Sequence, residues 1–187
     1  IHAGIYYPTG SLRARLCVAG KQALYRYCPE RGIAHRRITK VIVATTEDEV
    51  PTLHAYKAQA ERNGVLDLEW LDRAQLAEME PNVSAVAGLL SPSTGIIDSH
   101  GLMLAYQGDA EAHGASVVFR SPVVGGEVRD DGIVLEVGGA DPMTLKASIV
   151  VNAAGLTAPS VARSIRGVPQ ETIPPQYYCK GHYYVLT

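Results

Sequence analysis

Apolar residues near the start of the chain recur at the spacing of an amphipathic helix. Residues three or four positions apart share one face of a helix, and residues 11–31 carry such a series: Leu12, Leu16, Ala19, Ala23 and Tyr27. Ser11 has a hydroxyl that can cap the first turn, and Gly32 suits the end of a helix. The pattern therefore predicts a helix over residues 11–31.

The following segments alternate between short apolar runs and longer amphipathic ones. Short β-branched runs are typical of strands, whereas longer segments that start at a capping residue or end before glycine are typical of helices. We predict strands at residues 40–45, 68–71 and 87–91. We predict helices at residues 47–63, 72–79 and 99–113, with Asp72 as the cap of the second of these.

Strand signals dominate after residue 115. Predicted strands cover residues 116–119, 123–129, 133–137, 143–145, 149–151 and 178–186, and a helix is predicted at residues 158–165. Turn sequences such as Asp130-Asp131-Gly132 separate three of these strands, which predicts a meander. Strands that alternate with helices, followed by a meander, indicate an α/β or mixed α+β fold.

Composition narrows the class of protein. The chain has 187 residues, of which 47% are hydrophobic and 19% charged, as in globular proteins. The net charge of −2 gives no reason to expect a nucleic acid or an anionic membrane as partner. The apolar runs are too short to span a bilayer. The first residue is not Met and the last residues resemble an interrupted strand, so we expect an internal piece of a longer chain.

Cysteine and histidine spacing argues against disulfide and metal chemistry. Cys17, Cys28 and Cys179 form no C-x-x-C pair, which predicts reduced thiols in an intracellular protein. Cys17 and Cys28 are about 16 Å apart along the predicted helix, too far for a disulfide. The six histidines show no close metal-ligand spacing, so no metal site is predicted.

Three short segments could carry chemistry, and each also has a structural explanation. Residues 149–155 (IVVNAAG) resemble a strand end where a nucleotide or flavin approaches the main chain, or a tight strand-to-helix turn. His2, followed by small residues and two tyrosines, suits a proton-transfer partner for a planar ligand, or a surface histidine at a frayed end. Lys180 could bind a carboxylate, or could be a solvated residue of an edge strand.

These segments together resemble the D-amino-acid-oxidase-like superfamily of FAD-dependent oxidoreductases, and most closely its L-2-hydroxyglutarate dehydrogenase/oxidase branch. The matching pieces run in order along the chain: residues 1–8 (IHAGIYYP), 11–17 (SLRARLC), 95–98 (GIID), 151–156 (VNAAGL) and 180–181 (KG). The first two pieces are specific to that branch, whereas the NAAG piece is common to the superfamily. The dinucleotide fingerprint G-x-G-x-x-G is not in this sequence.

The resemblance implies an FAD cofactor and a set of site residues. His2 would be the base that takes the hydroxyl proton, with Tyr7 and Lys180 binding the substrate. The expected cofactor contacts are Ala3, Gly4 and Ile5 at the isoalloxazine, Val123 at the adenine, and Ala154, Gly155 and Leu156 beside the adenosine and pyrophosphate. Residues 1–35 and 95–170 would belong to a Rossmann-like FAD-binding domain, and residues 36–94 and 171–187 to a substrate domain with an antiparallel or mixed sheet.

The implied reaction is oxidation of a 2-hydroxy acid, best matched by L-2-hydroxyglutarate, to the 2-oxo acid. The alternatives are an amino-acid oxidase of the same superfamily, acting on glycine, D-amino acids or sarcosine-like substrates, and a truncated chain that is only a folded scaffold. The electron acceptor is unknown from sequence. A cytoplasmic location is expected, and peripheral membrane association stays open. We expect the 187-residue chain alone to bind FAD weakly, because the phosphate-cradling turn is missing.

Overall fold

The computed structural model describes residues 1–182 and residue 184. The chain divides into two compact units, Ile1–Ser116 and Val117–Thr187. Both combine helices with sheets, which confirms the predicted mixed α/β class. Within the described part of the chain, no helix has both the length and the apolar character that crossing a bilayer requires.

The first unit begins with helix α1 (Leu12–Glu30), close to the predicted bounds. The Ser11 hydroxyl accepts a hydrogen bond from the Ala14 amide at 3.2 Å, as expected of an N-cap. Gly32 follows the helix with a φ of 64°, a left-handed conformation that glycine adopts without strain. The local capping signals in the sequence therefore set both ends of this helix.

A three-stranded antiparallel sheet forms the centre of the first unit. Its order is β2 (Val41–Ala44), β4 (Ala87–Leu90) and β3 (Glu69–Asp72), with β4 in the middle. Helices α2 (Val50–Arg62) and α3 (Arg73–Met79) connect these strands, and Asp72 and Gln75 form a reciprocal capping box at the start of α3. The predicted strands and helices of this region are therefore confirmed to within a few residues.

A second, two-stranded sheet was not predicted. Strand β1 (His35–Arg37) pairs antiparallel with β5 (Gly95–Ile97), and helix α4 (Ser99–Ala112) follows with Asp98 as its N-cap. The sequence His35-Arg36-Arg37 has no apolar alternation, so its strand character comes only from pairing with a segment 60 residues away.

The core of the first unit contains residues from the very start of the chain. Ala3 and Ile5 are buried with Leu53, Val65 and Leu89, between α2 and the three-stranded sheet. Burial of apolar side chains is the main stabilising contribution to such a unit. The segment that carries His2 is therefore anchored in the core on both sides of Gly4.

The second unit is built on the predicted meander. Strands β6 (Val123–Arg129), β7 (Gly132–Val137) and β8 (Met143–Ala147) pair antiparallel in that order. Helix α5 (Ala158–Ser164) leads into the short strand β9 (Ile165–Arg166), which pairs parallel with β6. This is a mixed sheet.

Two predicted strands are wrong, and a third falls partly on residues that the structure does not describe. Residues 116–119 and 149–151 form no strand, and Ile149 and Val151 are 81% and 84% exposed. A β-branched run becomes a strand only where a neighbouring strand takes its hydrogen bonds, and no described strand pairs with residues 149–151. Residues 178–182 and 184 are not strand either. Tyr183 and residues 185–186 of that prediction lie outside the described residues.

Candidate active site

Side-chain amides at the C-terminal end of helix α2 hold the segment that carries His2. The Asn63 side-chain nitrogen donates hydrogen bonds to the Gly4 carbonyl at 3.1 Å and the Tyr7 carbonyl at 2.9 Å. Gln59 donates a further bond to the Tyr7 carbonyl at 3.0 Å. Residues 1–9 contain no helix or strand. The side-chain amides therefore donate the hydrogen bonds that a neighbouring strand would otherwise donate to these main-chain carbonyls. Neither residue was predicted as part of the site.

The first residue of this segment is joined to strand β5. The Gly95 amide donates a hydrogen bond to the Ile1 carbonyl at 3.2 Å, and the Ile1 nitrogen donates back to the Gly95 carbonyl. Ile1 therefore extends the pairing of β5 beyond its contact with β1. The two ends of the His2 segment are thus fixed by different elements, Gly95 at one end and Asn63 at the other.

Ala3, Gly4 and Ile5 present no exposed side chain to a ligand. Ala3 is 2% exposed, Ile5 is fully buried, and a Cβ on Gly4 would lie 2.9 Å from a Val18 methyl group. Gly4 also has a φ of 96°, which favours glycine. A cofactor contact from these three residues would therefore use main-chain atoms.

The His2 ring lies among two tyrosine rings. It is stacked on Tyr7, with ring centroids 5.2 Å apart, and meets Tyr6 edge-on at 6.1 Å. Its Nδ1 accepts a hydrogen bond from the Gly4 amide at 2.9 Å. A neutral ring held in this way carries its proton on Nε2. The one lone pair of this tautomer is on Nδ1, and it is engaged by the Gly4 amide.

The surroundings of His2 favour its neutral form. Partial burial lowers the pKa of His2 below its ordinary value of 6.5, and the charge of Lys40 lowers it further. A neutral imidazole is the form that can accept a proton, so His2 is suited to act as a base near neutral pH.

Lys40 is a charged neighbour that the sequence did not reveal. Its Nζ donates a hydrogen bond to the Tyr6 hydroxyl at 2.9 Å and lies 4.7 Å from the centre of the Tyr6 ring. From the sequence, Lys40 was predicted only as the first residue of a strand, with no role in the site. Its contact with Tyr6 joins residues 34 positions apart, which local patterns do not show.

The second unit contains a separate apolar pocket. Its volume is about 430 Å³, and its walls include Val123 on β6, Val161 on α5, and Asn152, Ala153 and Ala154. Asn152 shapes the turn, since it donates a hydrogen bond to the Ala158 carbonyl at 2.8 Å and accepts one from the Ala154 amide at 3.3 Å. The structure therefore brings together two predicted cofactor contacts, Val123 and Ala154, that are 31 positions apart.

The remaining predicted site residues are exposed. Gly155 has a φ of 58° with no atom within 4 Å of a Cβ position, and Leu156 is 70% exposed. Lys180 is exposed in the second unit. These residues are accessible to a ligand, but none of the three lines the pocket.

The family comparison covers the whole chain. The family model described as "FAD dependent oxidoreductase" matches residues 1–187, the whole chain. The chain belongs to this FAD-dependent oxidoreductase family. FAD is accordingly the cofactor of the family, and the predicted superfamily is confirmed.

Several relatives of this flavoenzyme chain are L-2-hydroxyglutarate dehydrogenases. The chain is 34% identical to a mitochondrial L-2-hydroxyglutarate dehydrogenase of Arabidopsis thaliana, over 100% of this chain and 44% of that protein. It is 30% identical to L-2-hydroxyglutarate dehydrogenase of Escherichia coli K12, over 100% and 43%, and 31% identical to the human mitochondrial one, over 100% and 42%. The chain therefore spans less than half the length of these relatives.

Solved flavoenzyme structures share the fold. The L-α-glycerophosphate oxidase of Mycoplasma pneumoniae with FAD bound matches with a TM-score of 0.72 and 25% identity, over 88% of this chain and 44% of that one. The L-proline dehydrogenase of P. horikoshii matches with a TM-score of 0.74 at 18% identity, over 86% and 42%.

The chain's own geometry fits part of an FAD site. An adenosine ring system needs apolar walls, and the pocket beside Val123 and Ala154 supplies them. The NAAG turn has small residues and an exposed main chain, which permits close approach of a ligand. The pocket and this turn are therefore the part of the second unit that suits the cofactor.

Proposed function

We propose that the complete gene product oxidises a 2-hydroxy acid to the 2-oxo acid with FAD, and that the acid is L-2-hydroxyglutarate. The observation that carries the proposal is the His2 ring, held neutral beside two tyrosines and a lysine. The similarity to L-2-hydroxyglutarate dehydrogenases along the whole chain supports this choice of substrate.

His2 is the proposed base that removes the proton of the substrate hydroxyl. The Nδ1 lone pair of the neutral ring is engaged by the Gly4 amide, so the proposal requires the ring to release this hydrogen bond when it takes the substrate proton. Stacking on Tyr7 fixes the plane of the imidazole and leaves Tyr7 at the edge of the substrate position. Lys180 is a second proposed substrate contact, because it is exposed and positively charged.

FAD, when bound, supplies the acceptor for the hydride that leaves C2 of the substrate. In the second unit, Val123 and Ala154 would hold the adenosine, and Gly155 and Leu156 would lie beside the phosphates. In the first unit, Ala3, Gly4 and Ile5 would contact the isoalloxazine through their main chain, since their side chains are buried.

The division into domains stays part of the proposal. We assign residues 1–35 and 95–170 to the FAD-binding domain and residues 36–94 and 171–187 to the substrate domain of the complete protein. The antiparallel sheet of β2, β4 and β3 lies within residues 36–94, which supports this assignment. The electron acceptor and peripheral membrane association are open parts of the proposal, and fractionation of cells with and without high salt tests the latter.

The test uses the complete gene product under anaerobic conditions. A purified yellow protein should be bleached by L-2-hydroxyglutarate, and a flavin that stays oxidised with this acid would refute the substrate. Glycine, D-amino acids and sarcosine form the comparison panel, and bleaching by one of these instead would favour the amino-acid oxidase alternative.

The role of His2 is tested with His2→Asn. The asparagine oxygen can still accept the Gly4 amide, so the segment should keep its shape while the base is lost. We expect the variant to retain its flavin and to be reduced about 10² to 10⁴ times more slowly. An unchanged rate of flavin reduction would exclude His2 as the base.

A further inference from the structure

The main chain of Lys40 is rigidly fixed. Its amide donates a hydrogen bond to the Ser91 carbonyl at 3.2 Å, and the Ser91 amide donates to the Lys40 carbonyl at 2.8 Å. Ser91 is fully buried, and the pair continues the ladder between β2 and β4. The lysine side chain therefore starts from a fixed point of the central sheet.

The residue before Lys40 has an unusual conformation. Thr39 has a φ of 65°, although it is β-branched, and its amide donates to the Thr94 carbonyl at 3.1 Å. A β-branched residue in the left-handed region is a genuine outlier, and such strain occurs preferentially at functional sites. The strained turn directs the chain into β2 so that Lys40 emerges beside Tyr6.

The ammonium of Lys40 has a neutral partner. Its hydrogen bond goes to the phenol of Tyr6, and the Tyr6 ring is itself held edge-on by Tyr56, with centroids 5.1 Å apart. An ammonium has three donors, and one is used here. Among the residues that the structure describes, no carboxylate lies within 4.0 Å of Lys40. The hydrogen bond to Tyr6 lies at an exposed position, so the other two donors of the ammonium are open to an anion.

We propose that Lys40 binds the carboxylate next to the reacting carbon of the 2-hydroxy acid, with Tyr6 holding its ammonium in place. The inference rests on the proposed function and adds a residue that determines specificity. In a 2-hydroxy acid, the carboxylate is bonded to the carbon that bears the hydroxyl. The group that binds it must therefore lie close to the base, and both His2 and Lys40 contact the Tyr6 ring.

Electrostatics agrees with this arrangement. The charge of Lys40 contributes to the lowered pKa of His2, so the two groups interact electrostatically. A bound carboxylate would form an ion pair with Lys40, which stabilises the bound acid. A substrate without this carboxylate would receive no such stabilisation from Lys40. Lys40 therefore distinguishes hydroxy acids from simple alcohols.

The experiment measures binding of the product, which does not react with oxidised flavin. 2-Oxoglutarate and its C1 amide are titrated calorimetrically into the complete gene product. The proteins are the wild type, Lys40→Met, Lys40→Arg and the control Lys57→Met, whose lysine pairs with Glu61 on α2. The C1 amide keeps the shape of the ligand and removes the charge that Lys40 would bind.

We expect Lys40→Met to bind 2-oxoglutarate about 10- to 100-fold more weakly and to bind the amide as the wild type does. Lys40→Arg should restore most of the affinity for the acid, and Lys57→Met should leave both affinities unchanged. Should Lys40→Met lose its flavin, Lys40→Gln, whose polar end can stay beside Tyr6, is titrated in its place with the same expectation.

Three results would overturn the inference. Equal binding of the acid by the wild type and the neutral variant would exclude Lys40 while the proposed function stands. An equal loss for the acid and the amide would show that Lys40 acts on the fold rather than on the carboxylate. A wild-type protein that binds neither compound would overturn the proposed function together with this inference.

Discussion

The side chain of Asn63, just after helix α2, donates a hydrogen bond to the carbonyl of Gly4 at 3.1 Å. The same nitrogen also donates to the carbonyl of Tyr7 at 2.9 Å. One amide thus holds the main chain on both sides of the core residue Ile5. The position of His2 therefore depends on a side chain 61 positions further along the chain.

Asn63→Ala should destabilise the protein by about 1–3 kcal/mol, because the Gly4 carbonyl loses its donor and the Tyr7 carbonyl keeps only the bond from Gln59. The free energy of unfolding is measured by urea denaturation of the complete gene product, and the rate of flavin reduction is measured in parallel. Gln107→Ala is the control, since Gln107 bonds only to Glu111 on the exposed surface of α4. Equal stability of the two variants would contradict the proposed role of Asn63.

Gly4→Ala should be more harmful than Gly10→Ala. Both glycines have positive φ values, 96° and 81°, so alanine costs about 1–2 kcal/mol at either position. At Gly4 the new Cβ would also lie 2.9 Å from Val18, whereas nothing lies within 4 Å at Gly10. We expect an extra loss of about 1–3 kcal/mol from this overlap, measured as the difference in unfolding free energy. The double variant Gly4→Ala, Val18→Ala should recover part of that difference.

The pH dependence of kcat/KM should report the environment of His2. Since the pKa of His2 is lowered, the imidazole stays neutral below its ordinary value of 6.5, and activity should fall only at still lower pH. Lys40→Met removes one of the positive charges that disfavour the imidazolium. The acid limb of the profile should therefore move to higher pH in that variant and stay in place in Lys57→Met. A shift of the acid limb to lower pH in Lys40→Met would contradict an electrostatic effect of Lys40 on His2.

Ala154→Leu should weaken FAD binding. The larger side chain would enter the pocket beside Val123, and we expect a loss of affinity of about 10-fold or more. The dissociation constant is measured by the change in flavin fluorescence as FAD is added to the apoprotein. Ala140→Leu in the exposed turn after β7 is the matched control and should bind FAD as the wild type does. If the two variants bind alike, the pocket is not the adenosine site.

Elements with local signals were predictable from the sequence. Ser11 and Asp72 cap their helices as their side-chain chemistry predicts, and the strands of the meander lie where the turn residues place them. Strand β1 was missed because its only reason to be extended is its partner β5. For residues 149–151 the error was the reverse: a strand was predicted and none forms. A β-branched sequence alone cannot supply the hydrogen bonds from a neighbouring strand that a strand requires.

In the candidate site, too, the residues with local sequence signals were predicted and those brought in by long-range contacts were not. His2 and the NAAG turn were found because they lie in short segments that resemble a family. Lys40 and Asn63 were missed because each reaches the site through a contact that spans 34 positions or more. Side chains that position or assist a predicted residue come from other elements, and only the fold brings them together.

The hydrogen bonds between Ile1 and Gly95 have a consequence for the order of folding. They close a loop over 94 positions, and contacts so distant in sequence form late, because the chain must lose much conformational freedom before they are made. The helices of this unit can form earlier from local contacts. His2 therefore reaches its place among the last events, and on refolding the catalytic rate should recover after the helical circular dichroism signal.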